Sequence, residues 1–162
     1  MNKIELLRMH PALSGEGGDS LLPATGHKDD AGIDCYAMEP IDLPPFGEGE
    51  NNVTCVPLGF GIKMPRRTLM DRLLGKYWHA EITGRSSQNK HGVLVLRGIV
   101  DQPYMGELIA CLANLTNHPV HYEKGERICQ LLFFKERKVR GKGVRVLSKK
   151  PRGTGGFGST GR

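Results

Sequence analysis

The chain has 162 residues, the length of one domain able to bury a core without disulfides. Lys and Arg outnumber Asp and Glu by 23 to 17, a formal charge of +6, which suits nucleic acid, an acidic membrane surface or a small polyphosphate without choosing among them. The start lacks an apolar core behind a basic head, and no stretch reaches the roughly 18 apolar residues of a membrane span; the expectation is a cytosolic or nuclear protein without a membrane partner.

Apolar residues come in short runs rich in β-branched and aromatic types, cut by Gly, Pro and Asn, which predicts many short strands. The first is expected over 3–9 and the second over 33–38. Asp34, in Ala31-Gly32-Ile33-Asp34-Cys35, is a carboxylate in a place that should be dry. Leaving such a group unpaired costs about 1–3 kcal/mol, so a protein partner, a metal-bound water or a phosphate oxygen must meet it. After Pro44-Pro45 a strand is expected over 53–63. The one helix-like stretch, 68–77, puts Leu69, Met70, Leu73 and Leu74 on one face. It predicts a short amphipathic insertion over 66–77 that serves as a packing element.

A strand over 78–83 runs into Gly84-Arg85-Ser86-Ser87-Gln88, where a guanidinium, two hydroxyls and backbone N–H groups suit phosphate oxygens. The next strand, 93–100, closes on Asp101, and Tyr104 follows at the turn before a strand over 107–114. A carboxylate at a strand end can deprotonate a water, and a tyrosine ring can pack flat against a sugar; an ordinary capped hairpin is the bland alternative. Strands are also expected over 120–122 and 127–135. The runs 108–113 and 128–133 are apolar on both alternating faces, as when sheets or subunits pack on both sides, and Gln130 stands polar within the second. The fold class predicted is all-β, a sandwich or barrel.

Cys35, Cys55, Cys111 and Cys129 lack metal-ligand spacing and sit in apolar runs, so they are expected as reduced core residues. The segment 152–161 is half glycine, with Arg152, Phe157, Ser159 and Thr160 interspersed. It is too poor in apolar residues to hold a core, and its groups suit a mobile arm that grips a nucleoside polyphosphate.

In this order the clusters resemble the trimeric dUTP pyrophosphatase family. Its five motifs are matched by Ala-Gly-Ile-Asp at 31–34, Gly-Arg-Ser-Ser at 84–87, Gly-Ile-Val-Asp-x-x-Tyr-x-Gly-Glu at 98–107, Gly-Glu-Arg-Ile-Cys-Gln-Leu at 125–131 and Arg-Gly-x-Gly-Gly-Phe-Gly-Ser-Thr-Gly at 152–161. The resemblance implies a distorted jelly-roll, a β-clip type sandwich barrel over 1–150, with an arm over 151–162 closing on the site. It implies hydrolysis of dUTP to dUMP and pyrophosphate by a homotrimer with sites shared between subunits, limiting uracil in DNA and supplying dUMP.

By the same resemblance, Asp101 orients the attacking water, Ile99, Val100 and Ile109 offer backbone groups to uracil, and Tyr104 packs on the deoxyribose. Arg85, Ser86 and Ser87 hold the α and β phosphates. Asp34 and Gln130 act through the waters of a Mg2+ ion, and Arg152, Phe157, Gly158, Ser159 and Thr160 close over the substrate. Met105, Gln88 and Val95 depart from residues common in the family, and Val95 stands where several members have a base-contacting Asn. A dCTP deaminase would be expected to use a glutamate and to lack the glycine-rich ending. A regulatory or nucleic-acid-binding role on the same scaffold is the other alternative, using the +6 charge or the insertion to contact nucleic acid or another protein.

Overall fold

The computed structural model describes residues 3–48 and 52–143, and strands dominate them. In chain order they are β1 (Glu5–Arg8), β2 (Ile33–Tyr36), β3 (Ile41–Leu43), β4 (Thr54–Pro57), β5 (Phe60–Lys63), β6 (Lys76–Thr83), β7 (Val93–Leu96), β8 (Gly98–Asp101), β9 (Ile109–Asn114), β10 (Val120–Tyr122) and β11 (Arg127–Arg137). Two short α-helices, α1 (Leu69–Leu73) and α2 (Ser86–Lys90), and two 3-10 turns at Pro11–Leu13 and Gly18–Leu21 interrupt them. A four-stranded sheet in the order β2-β11-β6-β8 and a three-stranded sheet β4-β9-β7 are joined by the pairs β1-β5 and β3-β10. Every pairing is antiparallel. The class is all-β as expected, in open sheets among the described residues rather than a closed barrel.

Two expected strands are each cut in two because the chain changes sheet within them. The 53–63 run breaks at Leu58-Gly59, where β4 leaves the three-stranded sheet and β5 pairs with β1. Gly59 has φ +76°, and a Cβ there would lie 2.8 Å from the side chains of His10 and Met38, so only glycine makes this corner. The 93–100 run breaks at Arg97 between β7 and β8, which belong to different sheets. There the Arg97 guanidinium binds buried Glu81 and holds its carboxyl below the usual range. β3 went unpredicted because its three residues stand between Pro40 and Pro44, too short for periodicity to register.

The two sheets close over Leu58, Phe60, Ile62, Val93, Leu108, Leu112, Ile128 and Leu131, all essentially without solvent contact. Burying each such side chain contributes about 1.5–3 kcal/mol. Cys35 and Cys129 face each other across β2 and β11 inside this core, and the hydrogen bond to Cys129, with burial, pushes the Cys35 thiol well up. Cys55 departs from the expectation: it lies exposed on the outer side of β4, its Sγ 3.0 Å from that of Cys111 on β9. That outer side is apolar throughout, since Leu94, Leu96 and Ile109 also point outward from β7 and β9.

The insertion is helical as expected, but over 69–73, with Lys76 and Tyr77 already in β6. Its apolar stripe faces out: Leu69, Met70 and Leu73 are 75%, 60% and 73% exposed, while Asp71 is 5% exposed. Polar anchors explain the inversion. Thr68 Oγ1 accepts the Asp71 N–H at 3.1 Å and Asp71 Oδ2 accepts the Thr68 N–H at 2.9 Å, a reciprocal cap. Lys135 Nζ reaches the same carboxylate at 3.0 Å and lies 4.5 Å over the Trp78 ring. These groups are satisfied only with Asp71 turned down.

Candidate active site

The residues singled out in the sequence gather in two places. The first is a cavity of about 410 Å³ at one end of the four-stranded sheet, walled by Asp34, Arg85, Ser86, Arg127 and Gln130. Register sets this group: Asp34 of β2 lies opposite Gln130 of β11, which lies opposite Thr83 of β6, so one row crosses three strands. Gly84 then turns the chain, and Arg85 caps α2. Arg85 Nε donates to Asp34 Oδ1 at 2.8 Å and Arg127 Nη1 to Oδ2 at 3.2 Å. Asp34 is thus met by protein partners, one carboxylate spanned by two guanidiniums. Gln130 Nε2 donates to the Gly84 carbonyl at 2.8 Å, and its Oε1 lies so close over Gly32 that any side chain there would collide with it.

Arg127 was not singled out in the sequence, although it stands inside the fourth motif. Its pairing with Asp34 spans 93 positions, which no local pattern reveals. A β-bulge explains its aim. Arg127 and Cys129 of β11 pair with the adjacent Tyr36 and Cys35 of β2, leaving Ile128 as the extra residue. The free Ile128 carbonyl accepts from Gln88 Nε2 at 2.7 Å, and Gln88 Oε1 accepts the Arg85 N–H at 3.2 Å. The departure at Gln88 is therefore a buried clamp between α2 and the bulge. Ser87 turns away from this cavity into a neighbouring one of about 670 Å³, with Arg85 and Arg127 in the wall between them.

The second place is the β8–β9 hairpin. Ile99, Val100, Asp101, Tyr104 and Ile109 all line one cavity of about 260 Å³. Asp101 ends β8, the edge strand, opposite His79, and its carbonyl accepts the Tyr104 N–H at 3.0 Å to make a turn. Tyr104 Oη donates to the Glu107 carbonyl at 2.9 Å, laying the ring over Gly106. Glu107 Oε1 accepts the Gly59 N–H at 2.9 Å and ties the hairpin to the core. Asp101 is exposed; no Arg or Lys lines the hairpin cavity itself, but Asp101 also lines a second cavity of about 640 Å³ together with His79, Arg137 and Lys138. Val95 packs against the core instead and does not line this cavity.

The two cavities share no residue. From Asp34 itself to Asp101 there are three inter-strand steps and four residues along β6, which at ordinary sheet spacings is roughly 20 Å. One chain does not bring its phosphate-type donors to its exposed carboxylate. Among the described residues no three His, Cys, Asp or Glu side chains cluster as metal ligands. The donor set at Asp34 and Gln130 fits a hard cation held mainly by phosphate oxygens and water rather than an all-protein cage. Arg152, Phe157, Gly158, Ser159 and Thr160 lie outside the described residues.

The sequence model of the dUTPase family matches residues 19–161. The deoxyuridine 5'-triphosphate nucleotidohydrolase of Gloeothece citriformis is 35% identical over 145 residues, covering 88% of this chain and 90% of its own. That of Clostridioides difficile is 34% identical, with 88% and 92% covered. Among solved structures, the Staphylococcus bacteriophage 80alpha dUTPase with dUpNHpp superposes with a TM-score of 0.77 at 21% identity over 100% of both chains. A mutant dUTPase of phage phi11 of S. aureus, described as coordinating a structural Mg(II) ion, gives 0.68 at 16% identity over 90% of this chain and 98% of its own.

Proposed function

The chain belongs to the dUTPase family, whose reaction is hydrolysis of dUTP to dUMP and pyrophosphate, and we propose that it performs this reaction at sites completed between three copies of itself. The separation of the two half-sites carries the shared-site part of the reading. The hairpin cavity has Asp101, Glu107 and a tyrosine but no Arg or Lys in its own lining; Arg137 and Lys138 line a separate cavity that Asp101 also borders. The arginine cavity has the guanidiniums and hydroxyl expected to hold phosphates, with Asp34 already spanned. A neighbour that lays its arginine cavity over the hairpin supplies what each lacks. The outward apolar side of β4, β9 and β7 supports such packing, because an exposed apolar sheet face of this kind marks a protein contact.

In this reading the hairpin backbone at Ile99, Val100 and Ile109 receives the uracil, and the Tyr104 ring, held by Glu107, packs on the deoxyribose where a 2′-hydroxyl would collide. Asp101 holds a water in line with the α-phosphorus and takes its proton as the P–O bond forms and pyrophosphate leaves. Arg85, Arg127 and Ser86 of the neighbour position the phosphates, with Ser87 reaching them only if α2 shifts. Asp34 and Gln130 would hold Mg2+ through water, and the ion supplies charge neutralisation on the phosphate oxygens. The residues after Pro151 fold down over the bound nucleotide.

Neither a glutamate-based deamination nor the nucleic-acid alternative is supported by the relatives. Pyrophosphate release measured on dUTP, UTP, dCTP and dTTP, with Mg2+ and with a chelator, tests base, sugar and metal together. Turnover confined to dUTP and lost on chelation is expected; ammonia from dCTP, or equal rates on UTP, would overturn the assignment.

A further inference from the structure

The insertion and the catalytic turn meet at one side chain. Gln102 follows Asp101 directly and is half-buried. Its Oε1 accepts the backbone N–H of Trp78 at 3.3 Å, and its Nε2 donates to the carbonyl of Pro65 at 3.3 Å. Pro65 immediately precedes the 66–77 insertion and Trp78 immediately follows it, so one carboxamide closes the neck of the insertion. The β6–β8 ladder ends at His79 opposite Asp101, and the next rung would set Trp78 against Gln102. There the side chain replaces the missing backbone bond and extends the ladder by one step.

Such a prop is needed at this point. β8 is the edge strand, with β6 as its one neighbour, and Asp101 is its last residue. An exposed carboxylate at the end of an edge strand frays with the strand unless something beyond it is fixed. The insertion offers a rigid mass to be fixed to: its cap closes on Asp71, Lys135 holds that carboxylate, Arg67 Nε donates to the Lys76 carbonyl at 2.8 Å, and the Arg67 guanidinium covers the Tyr77 ring at 3.8 Å.

We infer that Gln102 is a positioning residue for Asp101 and that the insertion is the buttress it works against. The inference rests on Asp101 holding the attacking water, and in-line attack is sensitive to displacement of that carboxylate by about 1 Å, which can cost on the order of 100-fold in rate. Gln102→Ala and the near-isosteric Gln102→Met are expected to lower kcat at least tenfold, with KM for dUTP within about twofold and the melting temperature little changed. Gln102→Glu keeps the acceptor for Trp78 and adds a like charge beside Asp101. It is expected to recover part of kcat while moving the acid limb of the pH–kcat profile upward.

Asp101→Asn measured alongside separates the two ideas. If it retains turnover, the base assignment itself fails. If it is inactive while Gln102→Ala and Gln102→Met match wild type, or lose activity only in step with melting temperature, the positioning role is overturned and Gln102 merely closes a loop.

Discussion

At the scale of single residues, the consequences concentrate on Asp101 and Tyr104. Asp101→Asn keeps the shape of the side chain and its place at the end of β8 but cannot take a proton. It is expected to lower kcat for dUTP by several orders of magnitude while leaving affinity for a non-hydrolysable analogue within several-fold, measured by stopped-assay turnover and by titration. Tyr104→Ala removes the ring that Glu107 holds over Gly106 and should raise the UTP to dUTP ratio of kcat/KM at least tenfold. An unaltered ratio would take the sugar gate away from Tyr104. The hairpin residues were legible because they are neighbours in sequence and share one turn. Arg127 was not, because its meaning comes from a bulge and a partner 93 positions away. Gln88 read only as a departure from the family's common residue, and its bond to the Ile128 carbonyl shows why a polar group is tolerated there.

At the scale of elements, alternation and turn residues located most strands, and failed where tertiary context decides. Periodicity cannot tell that the 93–100 run changes sheets at Arg97, since both halves look equally apolar. The helix spacing of Leu69, Met70, Leu73 and Leu74 was real, but the side that faces the domain was set by one carboxylate rather than by the apolar stripe. This dependence is open to a pH test. The Thr68 N–H, and then Lys135, hold the Asp71 carboxyl at about 2, below its reference value of 3.8. A depressed folded-state pKa contributes stability that is fully present above the unfolded value and is lost as pH falls through the folded one. Asp71→Asn should therefore melt below wild type at pH 7, and the gap should shrink as pH drops from about 4 toward 2. A gap constant across that window in calorimetric scans would mean that packing, not charge, holds the insertion.

At the scale of the whole molecule, one chain carries an apolar sheet face and two separate cavities, with Asp34 and Asp101 roughly 20 Å apart at ordinary sheet spacings. Both point to assembly, and the doubly apolar strand 108–113 already hinted at it in the sequence. The glycine-rich segment after Pro151 is, by composition alone, the third contributor in the proposed reading. If that segment closes over a site built from other subunits, its order comes from bound substrate, and removing it should leave the folded assembly intact. Truncation after Lys150 is expected to leave the melting temperature and the proposed trimeric state unchanged while lowering turnover by orders of magnitude. Full-length chains carrying Asp101→Asn keep the arm and the arginine cavity but lack the base; truncated chains keep the base. In a mixed trimer the hairpin of a truncated chain can face the arginines and the arm of its neighbours, so mixing two nearly inactive proteins should restore a measurable fraction of wild-type activity as subunits exchange. Mass spectrometry of the mixed trimers shows whether exchange has occurred. If it has, and activity stays at the parental background, each arm serves its own chain and the shared-site assembly is wrong.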